Sequence, residues 1–215
     1  MRINKYLADK KISTRRGADE LIKGKKVFIN GKLAELGSQV SETDKVEVRG
    51  IKEKVYKYFA YNKPIDIETD SPKDGLFPLG RLDKASHGLL ILTNDGRITD
   101  QLLNPKYFHE KEYVVRTKEK LRSSFKQKME AGVNIEGYQT KKCKIKILSD
   151  FTFKIILTEG KKHQIRRMCS ALFQEVADLK RERIMNIKLG NLKPKALREI
   201  KGEELAIFLK SLLSS

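Results

Sequence analysis

From Gly88 to Gly96 the chain reads Gly-Leu-Leu-Ile-Leu-Thr-Asn-Asp-Gly, an apolar run cut off by three turn formers. Such a run, short and closed by turn residues, reads as a strand over 89–93. Further strands are expected over 58–61, 113–116, 143–148 and 152–157, the last two joined at Ser149-Asp150. The first of these must stop near Asn62-Lys63-Pro64, because proline cannot donate to a ladder. Helical spacing of apolar residues occupies 97–104, 119–131, 164–173 and 203–213. No βαβ regularity, internal repeat or nucleotide-binding glycine loop is present. The pattern predicts an α+β domain with a mixed, mostly antiparallel sheet and flanking helices.

The first fifty residues form a separate unit. Ile3, Tyr6 and Leu7 recur at helical spacing; after Ser13, an apt N-cap, Ala18, Leu21 and Ile22 continue a second helix until Gly24 stops it. Val27 and Ile29 alternate into Asn30-Gly31, a strong hairpin signal, and Val46 and Val48 make another strand. Two helices plus a small sheet over 1–48, a charged linker over 49–56 and a larger domain over 57–215 are therefore expected. The small unit would gather Arg15, Arg16, Lys23, Lys25 and Lys26, singly no more than solvated helix faces, but as a cluster suited to phosphate contact.

Charge narrows the partners. The 215 residues carry 46 Lys and Arg against 28 Asp and Glu, a net of +18. Residues 1–50 hold 12 basic and 7 acidic side chains, leaving 34 and 21 beyond, so the excess is not an appended tail. A salt-bridged surface would explain many charges but not their one-sidedness; a polyanion, above all nucleic acid, explains both. Cys143 and Cys169 lie far apart without a CxxC pair, and His87, His109 and His163 are dispersed, so neither a disulfide framework nor a metal site is expected. No apolar run approaches the ~18 residues of a membrane span, and Met1-Arg2-Ile3-Asn4-Lys5 does not open a signal peptide. A cytoplasmic location without membrane contact is expected.

The segment Phe77-Pro-Leu-Gly-Arg-Leu-Asp-Lys-Ala-Ser-His-Gly-Leu-Leu-Ile-Leu-Thr-Asn-Asp-Gly96 places an acid in a glycine-bracketed loop between two apolar strands. An Asp so placed is ordinarily a turn former. The spelling goes further: Gly80-Arg81-Leu82-Asp83, then Gly88-Leu89-Leu90 and Thr93-Asn94-Asp95-Gly96, resembles the active-site signature of the pseudouridine synthases that modify ribosomal RNA. More resemblances follow in that family's order. They are Asn62-Lys63-Pro64, His109-Glu-Lys-Glu-Tyr113, Glu159-Gly-Lys-Lys-His-Gln-Ile-Arg-Arg-Met168 and Leu179-Lys-Arg-Glu-Arg-Ile184. The first fifty residues resemble the RNA-binding module named after the fourth small-subunit ribosomal protein. Within the branch, Lys141-Lys-Cys-Lys144 and Arg183-Ile-Met-Asn186 are most similar to the large-subunit type F enzymes.

The resemblance implies an isomerase that converts uridine to pseudouridine in ribosomal RNA, large-subunit RNA favoured, acting as a monomer without cofactor or metal. It implies Asp83, Tyr113 and Arg166 as the catalytic set. The reaction breaks the bond from the anomeric carbon to ring nitrogen, turns the base and rejoins it through ring carbon 5, so no external nucleotide or redox partner is needed. A carboxylate can attack the anomeric carbon, add to carbon 6 or remove the 2′ proton, and each role needs it ionised. Arg166 is implied as its charge partner, Tyr113 as the ring that stacks on the target base, and Leu179 as a wall of the uracil pocket. By periodicity alone, Tyr113 and Leu179 would be core. Arg81, Asn62, Lys63, Lys161, Lys162, Arg167, Lys180, Arg181 and Arg183 are expected to contact RNA, and His87 and His163 to pack loops or touch RNA. Three positions depart from the family pattern: Asp66 where glycine is usual, Ala85 where a polar residue is usual, and a short stretch over 72–76. A non-catalytic ribosome-assembly factor would not need the Asp83, Tyr113, Arg166 combination, and a helix-turn-helix DNA binder would leave these motifs unexplained.

Overall fold

The computed structural model describes residues 1–10, 12–50, 55–69 and 75–213. The centre of the expected linker, 51–54, and residues 72–74 of the short stretch lie outside the described residues. The chain divides into two compact units, one of Met1–Tyr56 with Asp95–Arg97, the other of Lys57–Asn94 and Ile98–Ser215.

The first unit is built as its periodicity predicts. Helix α1 (Ile3–Asp9) buries Ile3 and Leu7, and α2 (Arg15–Lys23) buries Ala18 and Ile22. The N-cap of α2 is Thr14, not Ser13: its hydroxyl accepts from the Gly17 amide at 3.0 Å. Strands β1 (Val27–Ile29), β2 (Lys32–Leu33) and β3 (Val46–Val48) pair in the order β2-β1-β3. Ile29 pairs with Lys32, so Asn30 and Gly31 alone make the turn, and both have the positive φ such a turn requires, 51° and 78°. Arg15, Arg16, Lys23 and Lys25 are all exposed.

The second unit is α+β. Its strands are β4 (Tyr58–Lys63), β5 (Phe77–Leu79), β6 (His87–Thr93), β7 (Lys111–Thr117), β8 (Asn134–Ile135), β9 (Tyr138–Gln139), β10 (Lys144–Ser149), β11 (Thr152–Leu157), β12 (Val176–Ile184), β13 (Ile187–Lys188) and β14 (Leu197–Glu199). The main sheet runs β10-β11-β7-β12-β6-β4-β14, with β5 on β6 and β13 on β12. Every pairing in it is antiparallel except β6 with β12. Helices α3 (Thr99–Leu103), α4 (Phe125–Glu130), α5 (Gln164–Ala171) and α6 (Gly202–Leu213) complete it. The helix expected over 119–131 contracts to α4, and β12 answers to no strand expected above.

Strand β12 escapes periodicity because its polar residues are paired rather than solvated. Lys180 and Glu182 alternate with Leu179 and Arg181 on opposite faces. On the polar face Lys154 Nζ reaches Glu112 at 3.1 Å and Glu182 at 2.9 Å, and Arg183 reaches Glu112 at 3.1 Å and Glu110 at 3.0 Å. The other face carries the core: Val115, Phe153, Ile155 and Leu179 close over Ile165, Met168 and Cys169 of α5. A second cluster, Leu82, Leu90 and Leu92, packs with Phe59 and Tyr61, and Tyr113 touches both clusters.

The parallel contact is tight. Gly88, at φ 104°, opposes Arg181, and a β-carbon there would stand 2.4 Å from the Arg181 carbonyl oxygen. Gly88→Ala is therefore expected to cost about 2–6 kcal/mol, strain and overpacking combined. Gly137→Ala, also at positive φ but facing open space, should cost about 1–2 kcal/mol. Urea unfolding of the two variants, with equal losses, would show that the β6–β12 contact is not the constraint.

Candidate active site

Asp83 lies in the loop between β5 and β6, and that loop is tied from several sides. The Thr69 hydroxyl donates to the Leu82 carbonyl at 2.7 Å and accepts from the Leu82 amide at 3.1 Å. The Asp66 amide donates to the Lys84 carbonyl at 2.8 Å. Asp66 sits at φ 61°, a left-handed conformation that glycine adopts freely and aspartate tolerates, which accounts for the departure at this position. From below, the ammonium of Lys63 donates to the carbonyls of Ser86 at 2.7 Å, Pro64 at 3.0 Å and Lys84 at 3.4 Å. Lys63 is 1% exposed. Burial pushes its pKa down, opposed by the charges of Asp83 and Asp66.

Arg166 comes from the first turn of α5. Its Nε donates to Asp83 Oδ2 at 3.2 Å, and its other nitrogens donate to the carbonyls of Ala85 at 3.0 Å and Val176 at 3.3 Å and to Ser86 Oγ at 3.3 Å. The guanidinium thus meets the carboxylate with one nitrogen and spends the rest fixing the loop. Burial, the largest single influence, raises the Asp83 pKa; the Ser86 hydroxyl and the charge and hydrogen bond of Arg166 more than offset it. The net direction is down, so the carboxyl is held ionised at neutral pH. Across the sheet, Lys63, Gly88, Arg181, Tyr113 and Ile155 form one cross-strand row. Leu179, buried at 6% exposure, opposes Val115 one step along. Asp83, Arg166, Tyr113 and Leu179 are therefore supplied by neighbouring elements of one sheet face and the helix packed on it.

Comparison with known proteins decides what this arrangement belongs to. A family described as RNA pseudouridylate synthase matches residues 39–171, and the S4 domain family matches residues 1–46. The dual-specificity RNA pseudouridine synthase RluF of Escherichia coli (strain K12) is 39% identical over 100% of this chain and 80% of that protein. Ribosomal large subunit pseudouridine synthase B of Bacillus subtilis (strain 168) is 34% identical over 95% of this chain and 93% of its own length. A crystal structure of a pseudouridylate synthase, 28% identical, superposes with a TM-score of 0.71 over 99% of both chains. This chain belongs to the RNA pseudouridylate synthase family.

It is an isomerase that acts on RNA. Among the residues expected to face that RNA, the synthase fold divides sharply. Arg81, Lys161 and Lys162 are exposed. Asn62 is 6% exposed and donates to the Leu192 carbonyl at 2.7 Å, so like Lys63 it braces the fold and presents nothing to a ligand. Arg183 is locked between Glu110 and Glu112, and Arg181, at 3% exposure, lies inside. These four placements correct the expected RNA contacts: a polar or basic residue next to a carboxylate or a free carbonyl is drawn in, and sequence alone does not show the partner. Arg167 donates to the Ile135 carbonyl at 3.0 Å and Glu136 at 2.7 Å, clipping the β8–β9 hairpin to α5. His87 pairs with Asp178 at 3.0 Å, and His163 is exposed at the start of α5 with φ 52°.

One organiser escaped the sequence reading. Glu159, 2% exposed, accepts from the Tyr138 hydroxyl at 2.6 Å, the Lys141 amide at 2.9 Å and Gln164 Nε2 at 2.7 Å. It joins β9, the segment after it and the start of α5, and so sets the helix that carries Arg166. Its place at the head of the Arg166 motif was the available signal.

Arg166→Ala should raise the Asp83 pKa, because burial then acts without its main charged counterweight. Activity, if it needs the carboxylate, is then lost at higher pH than in the wild type as pH falls. Arg166→Lys should recover little, since one ammonium cannot reach four acceptors in this fan. Arg167→Ala should leave the Asp83 titration in place and speed amide exchange at 134–139. Carboxyl NMR titration and hydrogen exchange separate the two; an unmoved Asp83 in Arg166→Ala would refute the assignment.

Proposed function

We propose that the enzyme isomerises a specific uridine of 23S ribosomal RNA to pseudouridine, with Asp83 as the catalytic carboxylate, Arg166 as its charge partner and Tyr113 as the ring that receives the flipped base. The observation that carries this reading is the ionised Asp83, held by Arg166 in a loop tied by Thr69, Asp66 and Lys63. The large-subunit target is supported by the name of the Bacillus relative, while no subunit stands in that of the Escherichia relative. The word dual-specificity in the latter makes a second RNA the runner-up, with the same chemistry.

The rearrangement conserves atoms and oxidation state, so it calls for positioning and charge control rather than a co-substrate. The target uridine leaves its stack at a cost of a few kcal/mol. Stacking on Tyr113 returns about 1–3 kcal/mol per base, enough to hold the flipped state. Leu179 forms the apolar wall beside the base, and Arg81 holds backbone phosphate near the Asp83 loop. The ionised carboxylate then attacks the anomeric carbon, adds to carbon 6 or takes the 2′ proton. We assign RNA docking to Arg15, Arg16, Lys23 and Lys25 of the first unit and to Lys161 and Lys162 of the second. We place the enzyme in the cytoplasm as a monomer; among the described residues no helix is long and apolar enough to cross a membrane.

Asp83→Asn should abolish pseudouridine formation, by on the order of 10³-fold or more, while RNA affinity stays within about tenfold, since phosphate contacts supply most binding. Single-turnover assay and filter binding check both halves, and wild-type turnover would overturn the mechanism. Replacing Arg15, Arg16, Lys23 and Lys25 together by alanine should flatten the salt dependence of binding to structured ribosomal RNA by about three units of slope. The rate at saturating RNA should hold. An unchanged slope would remove the module from the docking surface.

A further inference from the structure

The two faces of strands β7 and β12 treat their cations differently. On one face Lys154 and Arg183 each meet two carboxylates. On the other, beside Tyr113, Arg181 is buried and Lys111 half-buried, neither with a carboxylate partner among the described residues. Arg181 stands across from Tyr113 in the ladder, with its guanidinium carbon 5.9 Å from the ring centroid. Its Nε donates to the Leu89 carbonyl at 2.7 Å, whereas its Nη2 is fully buried and meets no acceptor among the described residues. Lys111 shares the face two residues before Tyr113, and its ammonium reaches the His109 carbonyl at 3.5 Å. His109 is itself 7% exposed, with Nε2 unpartnered among the described residues. Burial, then the charge of Arg181, brings the Lys111 pKa down to about 8. Burial and then Lys111 lower that of His109, with the Gln101 backbone opposing. Cations drawn out of water without a counter-charge are costly to a fold, so their persistence here points to an anion formed during turnover.

The reaction makes such an anion. When the bond between the anomeric carbon and N1 breaks, its electron pair stays on the uracil ring, spread over N1, O2 and O4. The charge remains until the bond from carbon 5 to the anomeric carbon forms. Carbon 5 then loses its proton and N1 gains one. We propose that the buried Arg181 and the half-buried Lys111 form a cationic seat behind Tyr113 that stabilises the detached uracil anion while it turns. The inference rests on the reading of Tyr113 as the base-stacking ring. A fixed field in a dry interior acts strongly and needs no reorganisation when the charge appears. Nη2 is closed off from solvent, so a phosphate cannot seat directly on Arg181. The two residues act through Tyr113 and are positioning residues, not catalytic ones.

The test uses the full chain, saturating RNA and single turnover, with uridine or 5-fluorouridine at the target position; fluorine lets the ring carry negative charge more easily. Loss of the N-glycoside is read by chromatography of digested RNA. Arg181→Met should slow the uridine substrate by about 10²-fold and the fluorinated one several-fold less, with RNA affinity unchanged. Arg181→Lys, which keeps the charge, should recover most of the rate. Lys111→Met, a second variant should Arg181→Met fold poorly, should show the same substrate dependence. The wild-type rate should fall as pH rises through about 8, where Lys111 loses its proton, and that limb should vanish in Lys111→Met. The charged or titratable groups facing Lys111 are Arg181 of β12 and His109 ahead of β7; its cross-strand partners Leu157 and Ile184 carry no charge. Equal slowing of both substrates, or an effect confined to RNA affinity, overturns the seat. An active Asp83→Asn would instead overturn the site on which it rests.

Discussion

Two antiparallel ribbons, one built on β7, β11 and β12 and the other on β4 and β6, are joined by a single parallel contact two residue pairs long: Lys180 with His87 and Arg181 with Gly88. Only a residue without a side chain lets the backbones approach this closely at Gly88. The Asp83 loop enters β6 immediately before this contact, and Leu179 immediately precedes it on β12. Because partners across a ladder share a face, Tyr113 follows on β7. The geometry of the site is thus a consequence of register: a slip of one residue at this joint would send Leu179 and Arg181 to the opposite face and bring Lys180 into their place.

Register places the residues, and polar ties fix their state. The Asp83 loop has few apolar contacts of its own apart from Leu82, so main-chain carbonyls carry the work. Those of Leu82, Lys84, Ala85 and Ser86 are each claimed by a hydroxyl, amide, ammonium or guanidinium from a different element. Buried donors and acceptors that are fully matched hold one conformation well, because each alternative leaves something unpaired. Arg166 belongs to this frame as much as to the carboxylate. Removing it would loosen the loop as well as change its charge, and the pKa of Asp83 and the rigidity of its backbone cannot be tuned separately here.

The fold was legible where one physical rule acts alone. Strand β11 and helices α1 and α2 follow their apolar periods, and Asn30-Gly31 makes the turn its φ preferences demand. The sequence misleads where two rules compete. Strand β12 carries polar residues at five of its positions, which reads as surface until the partners Glu112 and Lys154 on other strands are known. Lys63, Asn62, Arg181 and Arg183 read as solvent-facing for the same reason: a side chain's type is written in the sequence, but the carbonyl or carboxylate it meets sits up to 130 residues away. Ser13 and Thr14 are equally good caps by type, and only the backbone decides between them. Motif spelling located the Asp83 and Arg166 segments, while Glu159 in the same motif was passed over because a glutamate beside two lysines reads as exposed charge.

The net charge of +18 then acquires internal structure. Some of the cations are spent on architecture, paired with carboxylates of neighbouring elements, as Lys154, Arg183 and Arg198 are. Others, including Arg15, Arg16, Lys161 and Lys162, stand exposed, where salt screens them and a docked phosphate backbone would release their counterions. Lys63 and Arg181 are buried and Lys111 is half-buried, and the charges of Asp83 and Asp66 act on Lys63, whereas the neighbour acting on Lys111 is the cation Arg181. Exposed charge draws a polyanion in without distinguishing one uridine from another. Buried charge cannot attract RNA at a distance, but in the proposed mechanism it is not screened once the base has displaced water from above Tyr113. On the roles proposed here, affinity and chemistry draw on cations at different depths, so salt should act on the first while leaving the second untouched.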